Sequence, residues 1–192
     1  MATKVKKRTV DNWKKKRWFE VFADSTFDGK IIAETVAIES KKLIGRKIKK
    51  SLKELTGSVR DTYYELTFRI NKVTATKADT ELVKFDTKTN FLRRLLRRGK
   101  SKIEPVIYVY TKEGKKIKLK VLFITGARYT LTQRKEAQKI ITEYMLEDIK
   151  TKTISENWND IVYQKFGEKL KKKLLKLGFV NKIFISKAQL VE

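Results

Sequence analysis

Residues 85–129 read FDTKTNFLRRLLRRGKSKIEPVIYVYTKEGKKIKLKVLFITGARY, a short basic helix followed by a β-hairpin. The pattern predicts a helix over residues 90–98. Phe91, Leu92, Leu95 and Leu96 fall on one face at ~100° per residue. Arg93, Arg94, Arg97 and Arg98 fall on the other. Thr89 or Asn90 is the expected N-cap, and Gly99 the stop. A helix of this length is marginal alone, so its apolar face must dock for it to exist. Docking then aims the four guanidinium groups outward. The hairpin is expected around Lys112, Glu113, Gly114 and Lys115, with Gly in the loop. In its second strand Ile117, Leu119, Val121 and Phe123 alternate with Lys116, Lys118 and Lys120. Such alternation puts one face in a core and a comb of ammonium groups on the other.

The rest of the chain supplies the scaffold for these two basic surfaces. Its 192 residues, 41% of them hydrophobic, suffice for a substantial core. Forty-seven Lys and Arg oppose 22 Asp and Glu, a formal charge of +25. A charge that large repels itself in the compact state and favours a polyanionic partner, nucleic acid first. A membrane partner is not expected, because no apolar run approaches the ~20 residues of a span. The N-terminus has no apolar segment of signal-peptide type, which suggests an intracellular protein.

The chain has no Cys and no His. Disulfides, zinc fingers, thiolate nucleophiles and His-based acid–base chemistry are therefore excluded. Neither a P-loop nor a G-x-G-x-x-G fingerprint is found. Asp11, Glu20, Asp24 and Asp28 lack calcium-loop spacing. Glu143, Glu147 and Asp148 share a helix, where pairing with Lys139 or Lys150 competes with metal binding. No enzyme activity, cofactor, metal or small-molecule substrate is expected.

Before the decisive stretch, residues 1–17 form a basic arm with Lys4, Lys6, Lys7, Arg8, Lys14, Lys15, Lys16 and Arg17. A like-charged block of this kind is expected to be disordered when free. Trp13, Trp18 and Phe19 interrupt it. Aromatics among cations suit RNA, because a ring stacks on a base while its neighbours hold phosphates. The competing role is to anchor the arm to the core. Residues 18–192 are expected to form one domain. Residues 31–38 and 45–52 fit strands, and residues 55–58 a turn. Residues 61–76 alternate, with Tyr64, Leu66, Phe68 and Ile70 on one parity, and residues 81–85 return as a strand.

After Tyr129 the period lengthens to that of a helix. Thr130 with Gln133, and Thr153 with Glu156, are candidate capping boxes. Ala137, Ile140, Ile141, Tyr144, Met145 and Ile149 mark one face. Ile154, Trp158, Ile161 and Val162 begin another stripe, with Gly167 as its expected break. Residues 168–177 resume as a Lys-rich helix, and residues 179–190 fit a last strand. Strands first and helices later argue α+β, with mostly antiparallel pairing.

The binding candidates are Lys14, Lys15, Lys16 and Arg17 of the arm, the arginines at 93, 94, 97 and 98, and the lysines at 115, 116, 118 and 120. Arg128 and Arg134, beside Tyr129, complete the set. Arg suits bidentate phosphate contacts and stacking on bases. The competing role of such charges is a solvated face, and lysines on an edge strand also guard against aggregation. A DNA-binding or chromatin protein would need a groove-reading helix, and the best candidate has about two turns. An RNA-modifying enzyme would need a cofactor loop or an acid–base set.

The ordered series Arg-Trp-Phe-Glu-Val at 17–21, Gly-Arg-Lys-Ile-Lys-Lys-Ser-Leu-Lys-Glu-Leu at 45–55, Lys-Thr-Asn-Phe-Leu-Arg-Arg at 88–94 and Tyr-Thr-Lys-Glu-Gly-Lys-Lys-Ile at 110–117 carries a resemblance. Residues 121–134 and Phe-Val-Asn-Lys-Ile-Phe at 179–184 complete it. The chain resembles the small-subunit ribosomal proteins called S-one-e, or S-three-a-e, over nearly its whole length. Without the long C-terminal tail of eukaryotic members, the short archaeal type is the better match. The resemblance implies a β-rich, barrel-like core with added helices. It implies a cytoplasmic, structural ribosomal role on the small-subunit platform, near the messenger exit. Expected partners are small-subunit ribosomal RNA and neighbouring ribosomal proteins. Contact with messenger RNA is left open.

Overall fold

The structure, a computed structural model, describes residues 13–191. The first twelve positions of the expected arm, with Lys4, Lys6, Lys7 and Arg8, lie outside the described residues. Of the remainder, residues 13–15 form a turn and Arg17 opens the first strand.

Among the described residues the fold is α+β, with nine strands and five helices. The strands are β1 (Arg17–Phe22), β2 (Ile31–Ala37), β3 (Lys47–Ser51), β4 (Tyr64–Thr74), β5 (Lys77–Thr87), β6 (Lys102–Ile103), β7 (Val106–Tyr110), β8 (Lys116–Thr125) and β9 (Val180–Val191). The helices are α1 (Leu52–Thr56), α2 (Thr89–Leu95), α3 (Leu131–Thr151), α4 (Ile154–Val162) and α5 (Phe166–Leu174). All strands join one sheet, and only the β1–β5 pair is parallel. The expectation of mostly antiparallel pairing therefore holds.

The sheet is not closed into a barrel, contrary to the expected barrel-like core. Its path runs β2-β1-β5-β9-β8-β6, and its two end strands do not meet. Instead it forks at β5. One edge of β5 pairs with β4 along nearly its whole length. The other edge is shared: β1 takes residues 77–79 and β9 takes residues 84–86. Two cores follow from the fork. Phe19, Val21, Ala37, Leu43, Ile70 and Ala78 pack beneath the β1–β2 branch. The larger core lies between the β4–β5–β9–β8–β7 surface and helices α3 to α5, and includes Leu66, Phe85, Leu119, Ile141, Trp158 and Ala188.

The helical stripes hold. Ala137, Ile141, Tyr144, Met145 and Ile149 of α3 are buried, and Ile140 is half-buried. Both capping boxes form, with Thr130 N–H donating to Gln133 Oε1 at 3.0 Å and Thr153 N–H to Glu156 Oε2 at 2.9 Å. Two local expectations fail. Residues 55–58 are not a simple turn: Leu52 and Leu55, three apart, are both buried and pull the segment into α1. Gly57, at φ 74°, closes that helix by donating its N–H to Lys53 O. Nor is Gly167 the break after α4, since it lies inside α5. The chain turns at Gln164, at φ 54°. Its amide receives the Ile185 N–H at 2.7 Å and donates to Ile185 O at 3.1 Å. That pair of bonds sits beside a bulge, where the β8–β9 register shifts between Lys120 and Val121.

Candidate nucleic-acid interface

Strand β8 has two different halves on its outer face. Lys116, Lys118 and Lys120 alternate with buried Ile117, Leu119 and Val121, as the sequence predicts. Leu122 and Ile124 continue the lysine parity, yet both are fully buried. They are covered by α2, whose Phe91, Leu92 and Leu95 pack on Leu122, Ile124 and Phe184. The change from alternating to continuous apolar sequence marks where one-sided burial becomes two-sided. Phe91 also stacks on Tyr63, with ring centroids 4.5 Å apart. Such a pair adds roughly 0.5–1.5 kcal/mol beyond area burial, useful to a helix too short to persist alone.

Because α2 docks on the lysine side, Arg93 and Arg94 project from the same side of the sheet. Both are exposed. Arg94 Nη1 lies 3.4 Å from Tyr63 Oη, to which it donates. The predicted four-arginine helical face is shorter than expected. Helix α2 ends at Leu95, and Leu96 takes an extended backbone. Arg97 and Arg98 are exposed beyond the helix, so helical angles do not set their direction. Leu96 does not dock and is 36% exposed. The cap also differs: Lys88, with no side-chain cap bond, replaces Thr89 or Asn90. The helix stops where its apolar floor stops.

Strand β8 is interior, lying between β9 on one edge and β7 and β6 on the other. Its lysines are therefore not edge guards but part of cross-strand rows. One outer row runs Lys49, Thr67, Lys84, Gln189, Lys118, Tyr108. The next runs Ser51, Glu65, Asp86, Lys187, Lys120, Val106. On β9, Lys187 adds to the basic surface, and Tyr108 and Tyr110 of β7 lie beside it. The alternation of Ile107 and Val109 with Val106, Tyr108 and Tyr110 was the available sequence signal for these outward rings.

Acidic groups on this side are neutralised in place. Glu104 lies 2.8 Å from Lys102 Nζ and 3.1 Å from Lys120 Nζ. Burial raises the Glu104 pKa, but hydrogen bonds from Lys102 and Lys120 outweigh it and hold the carboxyl below its usual range. Glu81 lies 2.9 Å from Lys115 Nζ and 3.8 Å from Arg69. Asp86 pairs with Lys84 at 2.5 Å. Lys116 and Lys118 lie instead over tyrosine rings.

The remaining candidates are scattered. Lys14, Lys15 and Lys16 are exposed, with Lys16 Nζ 4.2 Å from the centroid of Trp13. Arg17 lines a cavity of about 630 Å³ with Phe19, Glu39 and Lys41. Phe19 is buried and anchors β1, whereas Trp18 is exposed. Arg128 is exposed after β8. Arg134 is half-buried and faces inward, donating to Tyr129 O at 3.2 Å and to Ser101 Oγ at 3.1 Å, so it holds the turn that leads into α3. On α3, Glu143 pairs with Lys139 at 3.9 Å, while Asp148 pairs with Lys152 rather than Lys150. No group of acidic side chains suited to a metal forms among the described residues. Among those residues, no helix is long and apolar enough to cross a membrane.

An open α+β sheet with cationic side chains fixed in rows defines a basic scaffold. The chain belongs to the Ribosomal S3Ae family, whose model matches residues 4–192. Among its relatives is the small ribosomal subunit protein eS1 of Staphylothermus marinus, 29% identical over 191 residues, covering 100% of this chain and 90% of that protein. The protein of the same name from Methanobrevibacter smithii is 30% identical over 98% of this chain and 97% of its own length. That from Haloarcula marismortui is 31% identical over 82% and 72%. The resemblance seen in the sequence thus holds, including its archaeal type. Members are ribosomal structural proteins of the cytoplasm, not enzymes.

Proposed function

We propose that this chain is a structural constituent of the small ribosomal subunit, binding its RNA at the platform near the messenger exit. It does so through a basic arm, residues 1–17, and a single domain, residues 18–192. The observation that carries the reading is the outer side of β8. There lysines stand in rows on a hydrogen-bonded sheet, next to a docked helix that presents Arg93 and Arg94. Cations held on a rigid frame lose little freedom when they meet phosphates. The names and full-length similarity of the relatives support the small subunit as the particle. Adjoining ribosomal proteins are the remaining partners, and the platform lies near the messenger exit.

The test is the salt dependence of RNA binding, combined with incorporation into subunits. Each neutralised phosphate contributes about 0.7–0.9 to the log–log slope. Replacing Arg93, Arg94, Arg97 and Arg98 by Gln is expected to lower that slope by about 3. Thermal stability should stay nearly unchanged, because all four are exposed. Incorporation into small subunits at moderate salt should weaken. Normal incorporation with an unchanged slope would remove the arginines from the interface.

A further inference from the structure

We propose that Tyr108 and Tyr110, with Lys116 and Lys118 beside them, form a stacking platform for an unpaired RNA segment. It rests on the reading of β8 as an RNA surface, and it specifies single-stranded rather than duplex RNA there. Both rings point outward from β7, where Ile107 and Val109 fill the core between them. Tyr108 is 49% exposed and Tyr110 is 56% exposed. Large aromatics on an open sheet face give up contact area to water, and among the described residues neither hydroxyl has a hydrogen bond that accounts for its placement. The charges set over the rings are cationic. Lys116 Nζ lies 5.2 Å from the Tyr108 centroid and 5.7 Å from that of Tyr110, and Lys118 Nζ lies 5.3 Å from Tyr108. Neither lysine pairs with a carboxylate among the described residues. The nearby acids, Glu81 and Glu104, are each already bound by two cations.

Spacing selects the form of RNA. Residues two apart on a strand are separated by about 7 Å, twice the rise of about 3.4 Å between stacked bases. Two rings so placed receive consecutive bases only from a strand that has been pulled out of its stack. A-form duplex keeps its bases enclosed and offers such a surface only phosphates and 2′-hydroxyls. The Lys116 and Lys118 ammonium groups, which lie over the rings in the free protein, give up the ring faces to the bases and meet the phosphates that link them. The occupant is therefore an extended, unpaired segment whose bases alternate with cationic contacts.

The experiment compares a short single-stranded RNA carrying a fluorescent base analogue with a duplex of equal length, using the full chain. Y108T/Y110T removes both rings but keeps strand propensity on an exposed face, and Y108F/Y110F keeps both rings. Stacking is worth roughly 5- to 150-fold in affinity per ring. The Thr variant is expected to lose at least that factor for the single strand and to lose the quenching of the stacked analogue. Its duplex affinity and salt slope should match the parent, and the Phe variant should match the parent throughout. Unchanged single-strand binding and quenching in the Thr variant would overturn the proposal, as would equal losses for both RNAs. K116Q/K118Q tests the underlying reading separately, with an expected fall of about 1.4 in the single-strand salt slope. An unchanged slope there rejects the phosphate contacts, while the ring variants still decide the stacking.

Discussion

The two halves of β8 share a strand, a parity and a side of the sheet, yet one half meets water and the other is sealed. Residues 116–120 offer lysines outward, whereas Leu122 and Ile124 at the same parity lie under α2. The bulge between Lys120 and Val121 falls at their boundary. What divides them is the crossing of α2 on its way from β5 to β6. The pair teaches that a basic surface and the apolar dock of a basic helix can be consecutive uses of one strand face. It also shows how cations on β8 stay at the surface while the same strand feeds the core.

The sealed half is where a substitution costs most. Leu122→Ala leaves a cavity beneath α2 and is expected to cost about 2–5 kcal/mol, measured by denaturant unfolding. An equally large loss from Lys118→Ala, on the open half, would erase the distinction. The boundary comes next. Gln164→Ala strips both bonds from the Ile185 backbone, and leaving such groups unpaired costs about 1–3 kcal/mol. Hydrogen exchange should quicken at Ile185 and its neighbours while β1 and β2 stay protected. A uniform change across the sheet would mean that the bulge is not an independent joint.

The smallest effect tests the open half by pH. Glu104 has a folded pKa below its unfolded value, so its stabilisation is present above the usual Glu range, near 4.3, and is lost as pH falls through the lowered value. Glu104 is half-buried, so the loss is expected to be no more than about 1 kcal/mol. Protonation also frees Lys120, so RNA affinity should rise slightly over the same window. Glu104→Gln should remove that step and bind RNA slightly more tightly than the parent at neutral pH. An unaltered profile in this variant would exclude Glu104 as the titrating group.

The periodic parts of this fold were legible. Thr130 and Gln133, Thr153 and Glu156, the α3 stripe and the β7–β8 hairpin were all in the sequence, because each depends on neighbours within a few residues. Leu122 and Ile124 were visible too, as apolar residues at lysine parity, but their meaning depends on what crosses above them. The end of α2 was not legible. Angular periodicity carries on through Arg98, whereas the helix needs a floor and ends at Leu95. Gln164 gave no signal, since a polar residue between two helices reads as a loop until its backbone partner is known. The barrel-like expectation failed for the same reason: the fork at β5 depends on strands distant in sequence. The alternation of Lys116, Lys118 and Lys120 with buried neighbours and the exposure of Arg93 and Arg94 follow the predicted periodicity, whereas the cross-strand rows with Lys49, Lys84 and Lys187 depend on pairing that periodicity does not give. Arg134 shows how a cation in a basic sequence can serve the turn beside it.

The position of β9 has a consequence for the life of the chain before assembly. Phe85 meets Ala188, roughly a hundred residues later, and among the described residues no other strand fills that length of β5 or the matching edge of β8. Until β9 arrives, β5 and β8 each present an unpaired ladder of amides and carbonyls at the seam of the sheet. An open edge of that kind pairs readily with other chains. During synthesis, self-repulsion between highly charged copies is thus an asset, keeping the two unfinished half-sheets apart from other copies until the last strand joins them.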